Sequence, residues 1–358
     1  MGNKKRALIT GITGQDSSYL AELLLEKGYE VYGLYRRGST DGHFERVEHL
    51  SGKINLVCGD LTDLGSLERI FEKVKPDEVY NLAAQSQVGI SFTNESYTME
   101  TNWLGVERVI ECINKYSPNA KLYQASTSEL FGEVLETPQN ENTPFNPVSP
   151  YAKAKLKAHA AIKRERENGM YACSGILFNH ESPRRGLEFI TRKLTDGIAR
   201  FKYGIPQRET GTKHLQIGNL EAKRDWGFSK DYVEAMWLML QQDKPKDYVI
   251  ATGETHTIRE LVEVATKEAG INLKWEGKGL DEKGYDQNGN LVISINEKYF
   301  RPNEVNLLLG DASKARKELG WKPKITFKGL IKLMFEEDLK RYETKKEIIR
   351  DPFEERVF

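Results

Sequence analysis

Short apolar runs alternating with helical periodicity through the first half of the chain constrain its fold more than any other feature. The runs fall at residues 6–10, 30–34, 54–57, 78–82, 121–125 and 173–178, each of strand length. Between them lie helical patterns at 16–27, 64–74, 100–115 and 151–167, the first carrying Leu20, Leu23, Leu24 and Lys27 at helical spacing. Strands separated by helices pair in parallel, because the intervening helix is the crossover that a parallel pair needs. Six such strands predict an α/β fold with a doubly wound parallel sheet, the Rossmann arrangement, whose ligand lies beyond the carboxyl ends of the strands. After about Phe178 the rhythm breaks down. A helix is expected over 226–242, a further strand over 247–252, and a surface loop in the Gly-rich, charged stretch 277–290. Residues 1–178 therefore read as a nucleotide-binding domain to which the chain returns around 213–252. Residues 179–358 read as mainly a second, smaller domain, with a charge-dense helix or frayed end after Leu339.

Bulk properties narrow the partners. Among 358 residues, 53 basic and 53 acidic side chains cancel, so no net charge favours nucleic acid or an anionic membrane. No apolar run reaches the ~18 residues of a membrane helix, and residues 1–6 lead into a strand without a signal-peptide core. Cys58, Cys112 and Cys173 are odd in number and lie in apolar settings, which predicts buried free thiols in a reducing, cytoplasmic compartment. The six histidines show no metal-ligand spacing, so no metal is expected.

The first strand is followed by Gly11-Ile12-Thr13-Gly14-Gln15-Asp16-Ser17, which opens a helix. That context is the one a dinucleotide fingerprint requires. Gly11 permits the tight turn, Gly14 lets the backbone approach a pyrophosphate, and the helix N-terminus offers N–H groups to the phosphates. The third small position is Ser17 rather than glycine. Where an NAD site carries an acidic residue for the ribose, this chain has Arg36, Arg37, Gly38 and Ser39. Guanidinium groups and a hydroxyl suit a 2′-phosphate, which favours NADP; a solvated basic loop is the other reading. Asp60, with Leu61 beside it, ends the third strand and suits the adenine. Leu82, Ala83, Ala84, Gln85 and Ser86 supply mostly small residues at the end of the fourth.

Tyr151 and Lys155 stand at i and i+4 near the start of a helix, on one face. An ammonium near the phenol stabilises the phenolate and makes Tyr151 usable as a base. Ser126-Thr127-Ser128-Glu129 follows the fifth strand and is expected at the same crevice. With the Gly-rich turn, these residues resemble the extended short-chain dehydrogenase/reductases, and within them the GDP-mannose 4,6-dehydratase branch. The block 175–186, Gly-Ile-Leu-Phe-Asn-His-Glu-Ser-Pro-Arg-Arg-Gly, carries much of that likeness, which extends over almost the whole chain.

The resemblance implies Thr127, Glu129, Tyr151 and Lys155 as the catalytic group. It implies that Gly11, Thr13, Gly14, Gln15, Asp16, Arg36, Asp60, Leu61, Ser86, Tyr97, His180 and Arg185 touch NADP. It places Ser86, Ser128, Glu129, Asn179, Lys193, Arg224, Arg301 and Glu304 at a GDP-sugar, bound mainly by the second domain, and implies a homodimer or homotetramer. Gln87 departs from the branch, which usually carries histidine there. The expected activity is a lyase forming a 4-keto-6-deoxy sugar. Alternatives are action on another GDP-sugar such as a GDP-manno-heptose, simple 4-dehydrogenation, or a non-catalytic cofactor-binding regulator.

Overall fold

The computed structural model describes residues 4–38, 44–300 and 307–344. Ser39, Arg301 and Glu304, expected above at the ligands, lie outside the described residues. The chain divides into two compact units, each built from three stretches. The first takes Met1–His180, Arg224–Thr255 and Val305–Lys324; the second takes Glu181–Lys223, His256–Glu304 and Ile325–Phe358. The return to the first unit thus spans Arg224–Thr255, where the sequence suggested 213–252, and a second return follows near the end of the chain.

The first unit holds one parallel sheet of seven strands: β1 (Arg6–Thr10), β2 (Glu30–Tyr35), β3 (Asn55–Cys58), β4 (Glu78–Asn81), β5 (Lys121–Ala125), β6 (Ala172–Leu177) and β7 (Tyr248–Ile250). Their order is β7-β6-β5-β4-β1-β2-β3. β1 pairs with β2 on one side and β4 on the other, so the winding reverses between β1 and β4. Such a reversal opens a crevice at the strands' carboxyl ends. The fold is the doubly wound sheet the periodicity predicted, with β7 from the first returning segment completing the edge beside β6.

Helices cover both faces. α1 (Gln15–Glu26) packs against α6 (Ser229–Leu240), while α2 (Leu64–Val74), α3 (Gly105–Tyr116) and α4 (Pro150–Glu167) pack in sequence. Leu8, Val79 and Leu122, from three neighbouring strands, share one apolar cluster with Phe71, Val109 and Ile162 of those three helices. Buried on both sides, the inner strands read as continuous apolar runs. β3 is an edge strand and mostly exposed, which corrects the expectation of three buried thiols: Cys112 and Cys173 are buried, but Cys58 is exposed. The helix expected over 226–242 begins later, because Trp226–Phe228 forms a short strand ahead of α6.

The second unit packs α5 (Ile190–Lys202), α7 (Ile258–Glu268) and α8 (Phe327–Thr344) together. Buried Asp338 of α8 takes three guanidinium bonds of 2.6–3.0 Å from Arg192 and one of 2.7 Å from Thr195, both on α5. The expected loop at 277–290 carries one three-residue strand within it. Lys283–Tyr285 pairs antiparallel with Lys274–Glu276 and with Leu291–Ile295, which runs parallel to Leu215–Ile217. No helix of the described residues is long and apolar enough to cross a membrane.

Candidate active site

The turn between β1 and α1 is shaped by glycine. Gly11 has φ of 69°, and a Cβ there would lie 2.9 Å from Cα of Ala83, so both conformation and space exclude a side chain. Gly14 N donates to Gly11 O at 2.9 Å, and no side chain caps α1 at Gly14. Ser17, the departure noted above, is buried and its hydroxyl reaches Thr10 O at 3.5 Å, so the helix packs closely without a third glycine.

Thr10 ties the crevice walls together. Its hydroxyl donates to Asn81 Oδ1 at 2.6 Å and accepts from Leu82 N and Ala83 N, both at 3.0 Å. Asn81 Nδ2 donates in turn to Gln124 Oε1 at 2.7 Å, linking the ends of β1, β4 and β5. Further along, Asn102 holds Gln85 by both backbone groups, each at 2.8 Å. Asn102 sits in a π-helical turn over Glu100–Leu104, a local widening that recurs at functional sites. The sequence reading missed Asn102, since nothing local distinguishes it from any helical asparagine. Gln87 N donates to Gln85 Oε1 at 2.5 Å, so the side chain at 85 shapes this loop from within.

Around the start of α1, Asp16 joins residues remote in sequence. Its Oδ2 lies 2.8 Å from His180 Nε2, and its Oδ1 accepts from Ser229 Oγ at 2.7 Å and Gln15 Nε2 at 3.0 Å. Gln15 Nε2 also donates to His180 O at 3.1 Å, and the His180 ring stacks on Tyr232 at 4.7 Å. Arg46, also missed, donates to Thr13 O at 3.0 Å. At the end of β2, exposed Arg36 donates to the hydroxyl of Tyr97, bringing two expected cofactor residues together, while Arg37 is exposed beside it. Asp60 Oδ1 accepts from Thr62 N and Oγ1, both at 2.9 Å, and Leu61 is buried.

Thr127, Ser128, Glu129, Tyr151 and Lys155 are all buried. The Thr127 hydroxyl accepts from Glu129 N at 3.2 Å, starting the single turn Ser128–Leu130 directly after β5. Ser149 caps α4 through Ala152 N at 3.1 Å, and Pro150 fits the first helical turn, so Tyr151 begins a well-anchored helix. Lys155 Nζ donates to Ala125 O at 2.9 Å and lies 5.9 Å from the centre of the Tyr151 ring. The helix face carrying Tyr151 and Lys155 is thereby docked on the residue that precedes the Ser126–Glu129 turn. Burial pushes Lys155 down to about 8.

Of the expected substrate residues, Asn179 follows β6, and buried Arg224 belongs to the short strand Lys223–Arg224. Its neighbour Asp225 is fully buried and accepts from Thr252 N, Thr252 Oγ1 and Gly253 N at 2.7–2.9 Å. Lys193 belongs to the second unit, as does Arg185, which was expected at the cofactor. Arg185 pairs with Glu181 at 3.2 Å and lies 3.6 Å over the Phe189 ring, and Lys193 borders a cavity of about 260 Å³.

Known proteins match this arrangement. The family profile described as GDP-mannose 4,6 dehydratase matches residues 8–334. A Drosophila melanogaster GDP-mannose 4,6 dehydratase is 53% identical over 347 residues, covering 94% of this chain and 86% of that protein. A Vibrio cholerae GDP-mannose 4,6-dehydratase is 50% identical over 358 residues, covering 94% of each chain. Among solved structures, a Bacillus anthracis dTDP-glucose 4,6-dehydratase in complex with NAD superposes with a TM-score of 0.76. It is 21% identical, over 95% of this chain and 98% of that one, a likeness of fold. With a profile spanning the sheet and the second unit, and relatives half identical over nearly their full length, the chain belongs to the GDP-mannose 4,6-dehydratase family.

Proposed function

We propose that the chain is an NADP-dependent hydro-lyase converting GDP-mannose to GDP-4-keto-6-deoxymannose. The observation that carries the reading is the docking of Lys155 on Ala125, which joins the Tyr151 helix to the turn bearing Thr127 and Glu129. The residues present fit a nicotinamide dinucleotide. Gly11 and Gly14 leave room for a pyrophosphate at α1, and Arg36 and Arg37 suit a 2′-phosphate. Ser126 Oγ and Asn179 Oδ1 are buried without a hydrogen-bond partner among the described residues, so bound groups would satisfy them.

Bound NADP supplies the hydride acceptor for C4 and the donor that returns hydride to C6. Tyr151, its phenolate stabilised by the Lys155 ammonium, takes the proton of the C4 hydroxyl. Once C4 is a ketone the C5 proton is acidic, and Glu129 removes it. Water leaves from C6 with a proton delivered by Glu129, and the proton held by Tyr151 passes to C5 as hydride returns to C6, while Thr127 orients the turn and donates to the sugar. The second unit is the GDP-sugar half, through Lys193 among its described residues. The protein works as a homodimer or homotetramer, with contacts on the loop after β2 and on α3 and α4. A reducing cytoplasmic setting suits its three free thiols.

The test is incubation with GDP-mannose and NADP, followed by mass spectrometry. A product lighter by one water is expected, with NADP bound more tightly than NAD and Arg36→Ala shrinking that preference by about 1–3 kcal/mol. Failure to convert GDP-mannose while NADP binds would overturn the reading. Light scattering showing a monomer at micromolar concentration would overturn the assembly.

A further inference from the structure

Leu187, Glu188, Lys193, Glu209, Leu215 and Tyr299 are among the residues lining the cavity of the second unit. Its volume of about 260 Å³ lies below the ~300–1,000 Å³ that holds a drug-sized ligand, and so suits a single base better than a whole nucleotide sugar. Three of its side chains hold one another. Glu209 Oε2 accepts from Lys193 Nζ at 2.7 Å and from Tyr299 OH at 2.8 Å. The Lys193 ammonium also lies 3.5 Å from the centre of the Tyr299 ring. Both bonds to Glu209 fall on one oxygen; Oε1 takes none among the described residues.

We propose that Glu209 reads the base of the nucleotide and selects guanine, Lys193 serving the neighbouring O6; this rests on the GDP-sugar reading above. The pair presents an acceptor and a donor side by side at one wall of the cavity. Guanine offers the complement on a single edge: N1–H and the N2 amino group donate, and O6 beside them accepts. Uracil and thymine place their one N–H between two carbonyls, which a carboxylate repels. Adenine sets an acceptor, N1, where guanine has a donor. Burial pushes the Glu209 carboxyl upward, but its bonds from Lys193 and Tyr299 outweigh that and hold it below the usual range. It is therefore anionic at neutral pH, and a bond from a base N–H to it is charge-assisted.

The other carboxylates of the cavity are differently placed. Asp196 is taken by Tyr342 OH at 2.6 Å and Arg208 at 3.2 Å. Glu188 is fixed by no hydrogen bond or ion pair among the described residues, so it lacks the preorganisation that base reading needs.

Inosine diphosphate provides the test, because its base lacks only the N2 amino group of guanine. Affinities for GDP, inosine diphosphate and UDP are measured by calorimetry on the cofactor-saturated protein and on Glu209→Gln and Glu188→Gln. The unmodified protein and Glu188→Gln should prefer GDP over inosine diphosphate about ten- to hundredfold, the worth of one charge-assisted bond. Glu209→Gln should cut that ratio about tenfold and narrow the gap to UDP. Glu209 is half-exposed, so the exchange should leave the melting temperature unchanged. If Glu209 only positions Lys193, Glu209→Gln weakens GDP and inosine diphosphate alike and the ratio holds, which overturns the proposal. A ratio of one in the unmodified protein overturns it too, while leaving the GDP-sugar reading intact. Absence of GDP binding to the unmodified protein sinks both.

Discussion

Lys155 concentrates the conflict between activity and stability in one side chain. It is 4% exposed, its ammonium is held by a carbonyl, and burial alone accounts for a fall from 10.5 to about 8. Between about 8 and 10.5 the unfolded chain binds the proton that the folded chain has released, so stability from this group rises with pH across that window. Below it the fold carries the full cost of a buried cation, about 3 kcal/mol. Lys155→Met should therefore abolish turnover yet melt no lower than the unmodified protein at pH 7, with any gain disappearing by pH 10. A lower melting temperature at pH 7 would contradict this account. Tyr151 and Glu129 separate differently under the proposed mechanism. Tyr151→Phe removes the base for C4 oxidation, so no reduced cofactor should form on adding GDP-mannose. Glu129→Gln spares that step and stalls elimination, a loss of ~10²–10⁴ in rate, so absorbance should show reduced NADP accumulating with little 6-deoxy product. Unimpaired turnover by Glu129→Gln would remove Glu129 from the chemistry.

At the scale of elements, the β1–α1 turn makes two glycines do different work. Gly11 is needed by the fold itself, because its positive φ and the Ala83 backbone both exclude a Cβ. Gly11→Ala should cost about 1–3 kcal/mol in stability. Gly14 has an ordinary extended φ of −74°, and a Cβ there would meet Gly11 O at 3.1 Å and Ser17 Oγ at 3.7 Å. Gly14→Ala should therefore leave the urea midpoint nearly unchanged while weakening dinucleotide binding, which equilibrium titration would reveal. Equal losses of stability in the two variants would refute the distinction. The strand Lys283–Tyr285 shows why short elements escape a sequence reading. It has only three residues, and Gly284 packs where a side chain would press on Trp275, at 3.3 Å. Glycine and charge usually mark turns, and here they mark a strand stabilised by its neighbours on both sides.

Across the whole molecule, each unit is assembled from interleaved stretches, so neither can be cut out as one continuous piece. The sheet of the first unit draws β7 from one returning segment, and α1 draws α6 from the same segment. Trp321, from the last segment, is buried edge-on against Tyr232 and donates to Asp231 O at 2.7 Å. A fragment ending at His180 would expose β6 as an edge and uncover the α6-facing side of α1. It should show no cooperative thermal transition and no native near-ultraviolet dichroism, although it contains six of the seven strands. A sharp transition in that fragment would show that the returning segments are accessory.

The sequence by itself determined what is encoded by near neighbours. Periodicity placed the inner strands to within a residue or two, because apolar spacing is a property of a few consecutive positions. The Gly11–Gly14 turn and the Tyr151–Lys155 pair were legible for the same reason, being local patterns with a local geometry. Tertiary structure alone decided which remote groups meet: Asn102 on the backbone of Gln85, Ser229 and His180 on Asp16, Asp225 on Thr252 and Gly253, Glu209 between Lys193 and Tyr299. None of these side chains is unusual in its own stretch of chain. A polar group is matched by whichever partner the path of the backbone brings within about 3 Å, and that path is set by the packing of the whole unit rather than by any window of sequence.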